Sequence, residues 1–159
     1  MMERESMKKV LSEDLDYPGD DGLYYLDGKP FTGIEVHPDF EPTNSETEYR
    51  NGLVWGDRKE WWPSGQLAAR EEWKWGCLHG ETQRWHENGN PLEESEYELG
   101  ICKRHKKWDE SGRLVEESAL EEGSRWHNSL LRLRKIYYGH TGEERGDEEI
   151  QHPESAQPE

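Results

Sequence analysis

Residues 49–76 read "YRNGLVWGDRKEWWPSGQLAAREEWKWG", and two features of this stretch decide the fold. It begins and ends on an aromatic–x–x–glycine pattern, Tyr49 to Gly52 and Trp73 to Gly76, and between them stands the turn Pro63-Ser64-Gly65. The reading is a β-hairpin. A strand runs from about Trp55 to Trp62, turns at Pro63-Ser64-Gly65, and returns through Gln66 to Trp73. A three-residue hairpin loop ends on a residue in the left-handed conformation, where glycine carries no steric penalty. Proline suits the start of such a turn because its ring fixes φ.

The same pattern recurs outward in both directions. Turn glycines stand at Gly28, Gly52, Gly76, Gly100 and Gly123, each three residues after Tyr25, Tyr49, Trp73, Tyr97 and Leu120. A second series, Gly33, Gly56 and Gly80, fails at Arg104, and a third marks the hairpin loops at Gly65, Gly89 and Gly112. Several series held in phase define a repeat of 24 residues, shortened by one in the third unit. The expected fold is all-β, an open single-layer sheet of antiparallel hairpins. Its organisation is an acidic, disordered or loosely structured N-terminus (1–21), an array of about four units (22–123, the first degenerate), a capping strand or short helix (124–139), and a disordered tail (140–159).

The loop also sets a register. Trp62 pairs with Gln66, so that Trp61 faces Leu67, Lys59 faces Ala69 and Trp55 faces Trp73. Trp85 then faces Pro91, His79 faces Tyr97, Trp108 faces Leu114, Lys106 faces Glu116 and Cys102 faces Leu120. One face would collect Trp61, Trp85 and Trp108 as a packed stripe, with Trp73, Tyr97 and Leu120 at the strand ends. Two details strain this register: Asp57 falls opposite Glu71, a like-charge pair, and Pro91 cannot donate to a ladder.

Only 30% of the 159 residues are hydrophobic and 35% are charged, with a net charge of −16. The charge is −9 over residues 1–48, −5 over 49–123 and −2 over 124–159. This balance argues against nucleic acid and anionic membranes as partners and in favour of a basic protein, approached faster at low salt. Two cysteines build no disulfide framework and no stretch is apolar enough to span a bilayer, so a cytoplasmic location is expected. Open sheet edges leave room for homo-oligomers.

Catalytic constellations are missing from the sequence: there is no phosphate-binding glycine loop, no His-Glu-x-x-His and no nucleophile elbow. The glycines serve turns, and the carboxylates recur on returning strands as a solvated face. No enzymatic role and no cofactor are expected. The one metal-competent arrangement, Cys77-x-His79 with Cys102-x2-His105, lies out of phase, and His79 falls where the unit before has Trp55, so packing is the preferred reading over zinc. Trp62 and Trp75 do not match the neighbouring units and are candidate partner contacts, with Glu71, Glu72, Glu93 and Glu94 supplying charge.

The stretch "YRNGLVWGDRKEWWPSGQLAAREEW" resembles a MORN-type repeat in its longer variant, and "LDGKPFTGIEV" (26–36) resembles the usual start of such chains. The likeness covers residues 22–123, with Arg104 and the short third unit as departures. Bacterial chains of this build are grouped with the YwqK-family antitoxins. The resemblance therefore implies an antitoxin or immunity protein that binds and blocks a cognate toxin. A scaffold that organises host proteins without any toxin is the alternative.

Overall fold

The computed structural model describes residues 6–16, 18–38 and 44–139. Of these described residues, those up to 120 form one compact unit and 121–139 a second. In the first, β1 (Lys9–Leu11), β4 (Gly33–His37), β5 (Asn44–Arg50), β6 (Leu53–Trp61), β7 (Leu67–Lys74), β8 (Cys77–Trp85), β9 (Pro91–Glu98), β10 (Ile101–Trp108) and β11 (Leu114–Ala119) build one open sheet in that spatial order. A separate small hairpin pairs β2 (Tyr25–Leu26) with β3 (Lys29–Pro30). Every ladder of the large sheet is antiparallel except β1–β4, which is parallel.

Two kinds of turn alternate along the array. Gly65, Gly89 and Gly112 close the three-residue loops at φ of 84°, 86° and 84°. At each loop the flanking residues bond across it, as in Trp62 N–H to Gln66 O at 2.8 Å and His86 N–H to Asn90 O at 2.8 Å. The second kind is a two-residue turn with positive φ at both positions: Asp27-Gly28, Asn51-Gly52, Trp75-Gly76 and Leu99-Gly100. That turn matches the right-handed twist of the strands it joins. Successive two-residue turns are tied together, because Gly76 N–H donates to Val54 O at 3.0 Å and Gly100 N–H to Leu78 O at 2.9 Å.

Each hairpin closed by a three-residue loop departs from plain register at one place. The loop-end pairs Trp61↔Leu67, Trp85↔Pro91 and Trp108↔Leu114 form as the loops require. Beyond them Ala68, Leu92 and Val115 are each one residue too many, so that Glu60 pairs with Ala69, Arg84 with Glu93 and Lys107 with Glu116. Such a bulge reverses the inside–outside alternation for the rest of the strand. The expected pairs therefore shift: Lys59 meets Arg70, and Trp73 meets Gly56 rather than Trp55. Tyr97 meets Gly80 rather than His79. Lys106 meets Glu117 rather than Glu116. On the β9 side Cys102 pairs with Tyr97, and Leu120 bonds through its N–H to Lys103 O at 2.9 Å. By strand alternation Trp61, Trp85 and Trp108 lie on the face opposite to Trp73 and Tyr97, not on one shared stripe. The bulge moves Glu71 opposite Arg58 and leaves Asp57 opposite Glu72, a like-charge pair that Arg70 Nη2 bridges. Pro91 is the first residue of its strand, where a missing N–H is tolerated.

The apolar cluster lies at the first end of the sheet, not under the tryptophans. Val10, Leu15, Phe31 and Tyr49 form it, with Tyr24, Leu26 and Val54 packed against them. Trp61, Trp85 and Trp108 are half-buried and outside that cluster. The N-terminal segment, read as loose from its charge, is instead ordered where described. Ile34 N–H donates to Lys8 O at 2.8 Å, a 3-10 turn follows at Ser12–Asp14, and Asp16 bridges to Tyr25. Val10 and Leu15, apolar residues in a charged stretch, cover Phe31 and Tyr49, and β1 pairs along β4.

In the second unit, residues 125–137 form a helix, α1 (Arg125–Tyr137), not a strand. Ser124 caps it by accepting from His127 N–H at 3.2 Å, and Gly139 follows its end at φ 74°. Its one buried residue, Leu130, stands eight before Tyr138, the buried residue that follows its last turn, a helical spacing. The tail expected over 140–159 lies outside the described residues, as do residues 1–5.

Candidate interaction surface

The two faces of the sheet carry continuous cross-strand rows. On the Tyr49 face the central row runs Glu35, Thr47, Arg58, Glu71, Thr82, Ser95, His105, Ser118, each residue the register partner of the next. Its carboxylates are held internally. Glu35 accepts the Tyr49 hydroxyl at 2.7 Å and lies 3.0 Å from His37 Nε2. Burial, and then this hydrogen bond, push the Tyr49 phenol well above its ordinary value. Glu71 is 7% exposed. It accepts from Trp73 Nε1 at 3.1 Å and Arg84 Nη2 at 3.3 Å, with Arg58 Nη1 at 3.7 Å. Beside this row a groove of about 550 Å³ is lined by Tyr24, Glu35, His37, Arg58, Trp73 and Trp75 among others.

The opposite face is a charge ladder. Its main row runs Glu46, Lys59, Arg70, Gln83, Glu94, Lys106, Glu117. Lys9 Nζ meets Glu46 at 2.7 Å at one end, and Arg70 Nη2 bridges Asp57 at 3.1 Å and Glu72 at 3.0 Å. Lys106 Nζ meets Glu117 at 3.3 Å at the other end.

The glycines of the second series mark a wider irregularity. Glu48 on β5 stands opposite three residues of β6, Trp55, Gly56 and Asp57, and Glu72 stands opposite His79, Gly80 and Glu81. Gly56 and Gly80 adopt φ of 106° and 116° there. The equivalent glutamate fills the space beside each, its Cβ 3.2 Å and 3.0 Å from where a glycine Cβ would stand. Glu72 also accepts Glu81 N–H at 3.0 Å. In the third unit the irregularity shrinks to Lys103 alone, which accounts for the missing residue and for Arg104 in place of glycine. Glu96, at the position of Glu48 and Glu72, accepts instead from Lys103 Nζ at 2.8 Å and Arg104 Nε at 2.8 Å. These cations, Lys103 first, hold its carboxyl below the usual carboxylate range.

The six candidate contact residues are not brought together. Trp62 lies at the loop edge and Trp75 at the two-residue-turn edge, while Glu71 and Glu93 lie on one face and Glu72 and Glu94 on the other. Both tryptophans have structural positions that the sequence reading did not assign. Trp62 Nε1 donates to Trp85 O at 3.3 Å, and one unit later His86 Nε2 lies 3.0 Å from Trp108 O, so they are one inter-unit strut seen twice. Asn88 and Asn90 reinforce that edge through Glu110 O at 3.1 and 2.9 Å. Trp75 occupies the left-handed turn position held by Asp27 and Asn51 elsewhere, with its ring edge-on to Trp55 at 5.4 Å and to His79 at 5.2 Å. Spacing of 24 between Trp55 and His79 was the available signal.

The four zinc-competent residues are separately engaged. Cys77 Sγ donates to Lys74 O at 3.2 Å and Cys102 Sγ to Arg104 O at 3.3 Å, while His79 Nδ1 accepts Leu99 N–H at 3.2 Å and His105 Nδ1 lies 2.9 Å from Ser95 Oγ. Burial pushes both thiols up, away from the thiolate that binds metal. Among the described residues no three His, Cys, Asp or Glu side chains are placed to share a metal ion.

Residues 78–99, from β8 to the Leu99 turn, match the family described as the MORN repeat variant. No curated protein and no solved structure matches the chain significantly. A repeat of this class points to a repeat-based binding or scaffold protein. No helix among the described residues is long and apolar enough to cross a membrane.

Proposed function

We propose that the chain is a non-catalytic antitoxin or immunity protein that binds a basic toxin domain and blocks it. The observation that supports this reading is a match to the MORN repeat variant over residues 78–99 in a chain of net charge −16; residues 22–123 resemble MORN-type repeats, and that resemblance implies the YwqK-family antitoxins. A repeat sheet offers an extended surface built from similar modules, suited to holding one large partner. The charge favours a basic partner over nucleic acid or anionic membranes, and two cysteines with no disulfide framework fit a reducing cytoplasm. Co-expression with a toxin encoded beside the gene tests the proposal. Restored growth together with a co-purifying complex is the expected result; continued toxicity with no complex would remove the antitoxin reading. A scaffold for host proteins is the second reading, favoured by the repeat match alone. It predicts host partners in cells that lack any such toxin.

A further inference from the structure

We infer that the free edge of β11 is a docking site for an extended basic strand of a protein partner. The inference rests on the proposal of a basic protein partner and names the place where that partner would join.

The sheet itself supplies the template. Residues 91–95, Pro-Leu-Glu-Glu-Ser, and residues 114–118, Leu-Val-Glu-Glu-Ser, are the same position of successive units. The first set, on β9, lies between two strands. Glu93 pairs with Arg84 on one side and Lys107 on the other, and Glu94 with Gln83 and Lys106. The second set, on β11, pairs among the described residues with β10 alone. Followed across the strands, one row reads Arg84, Glu93, Lys107, Glu116 and the other Gln83, Glu94, Lys106, Glu117. Both rows end on a carboxylate. A strand continuing them would carry cations at two consecutive positions, as β10 does with Lys106-Lys107.

Three further observations fit an incoming strand. All of β11 is exposed, and its first residues, Leu114 at 44% and Val115 at 51%, are apolar. Leu120 N–H bonds to Lys103 O, so by antiparallel alternation the Glu117 N–H and C=O point away from β10. Gly123 keeps a positive φ of 79° where the preceding unit turns at Gly100 into its next strand, but here the chain continues into a helix. A second copy pairing through its own β11 would set acidic strands side by side, which cross-strand like charges oppose. The edge therefore fits a basic strand, joined by main-chain bonds and selected by its charges.

The test uses the full chain, isotope-labelled for amide NMR, and two peptides: residues 101–108 with Cys102 replaced by serine, and the same peptide with its four Lys/Arg positions changed to glutamate. The basic peptide is expected to bind saturably and to slow exchange at the Glu117 and Ala119 amides. The charge-reversed peptide should bind about tenfold more weakly or less. Glu117→Pro removes an outward N–H while leaving the β10 ladder intact, and should abolish binding at an unchanged melting temperature. Glu116→Lys with Glu117→Lys should reverse the preference between peptides. Equal binding of both peptides, no binding of either, or concentration-dependent protection of β11 by a second copy would overturn the inference. A toxin that is still neutralised by Glu117→Pro, with β11 amides unchanged in the complex, would overturn the edge site and leave the antitoxin reading standing.

Discussion

Gly80 and Gly89 both hold positive φ, yet their surroundings differ. Nothing stands within 4 Å of a Cβ built on Gly89, whereas one on Gly80 would meet Glu72 Cβ at 3.0 Å. Gly89→Ala should therefore cost only the left-handed strain, about 1–2 kcal/mol. Gly80→Ala should add a steric penalty of about 1–3 kcal/mol. Urea unfolding of the two variants checks the order, and equal losses would refute the role given to the glutamate at that site. Titration belongs to the same scale. The Tyr49 phenol is raised above its ordinary 10.0 by burial and by Glu35, so its contribution is complete below about pH 10 and is lost as pH rises further. Tyr49→Phe should lose about 1–3 kcal/mol at neutral pH through the missing bond to a carboxylate. It should also show a smaller additional loss above pH 10 than the parent, as pH-dependent melting would reveal. Glu96 has the opposite sign. Held below its ordinary 4.5 by Lys103 and Arg104, it stabilises the fold above that pH and less as acid protonates it. Glu96→Gln should flatten the acid side of the same profile.

At the scale of elements, the legibility of the sequence followed backbone geometry. The loops at Gly65, Gly89 and Gly112 demand a left-handed residue, so composition exposed them and their end pairs Trp61↔Leu67 and Trp85↔Pro91. The bulges at Ala68, Leu92 and Val115 demand no particular residue and left no trace in the sequence, since Asp57 faces a glutamate with or without them, Glu72 or Glu71. Without the bulges the two sets of aromatics could not be assigned to opposite faces. The candidate contacts failed to converge for the same reason: Glu71 looks like part of a solvated run but is buried under Trp73 and two arginines. Residues 124–139 were ambiguous because Leu131, Leu133 and Tyr137 fit a strand while Leu130 and Tyr138 fit a helix, and Ser124 and Gly139 are the caps that separate the two. Ser124→Ala should cost α1 about 1 kcal/mol, read as faster amide exchange within Arg125–Tyr137. Unchanged exchange would mean that the cap contributes nothing.

For the molecule as a whole, bonds run mainly between neighbouring units, so stability should be local along the array. The first end differs from the rest because its apolar cluster contains Leu15 and Val10, contributed by a segment whose parallel pairing no local pattern announces. Leu15→Ala should cost about 2–5 kcal/mol. The loss should appear in amide exchange of β4 and β5 while β9 to β11 retain their protection. Uniform loss across all nine strands would show one cooperative block instead. The described units also exchange equivalent bonds at equivalent atoms: Gly76 to Val54 as Gly100 to Leu78, and Trp62 to Trp85 as His86 to Trp108. A gene carrying an in-frame duplication of the segment from Gly76 to Leu99 would thus encode a longer chain in which the new module finds every partner already in place. Lineages could lengthen or shorten such a protein by unequal crossing-over, one period at a time, and leave the terminal strand that meets the outside world untouched.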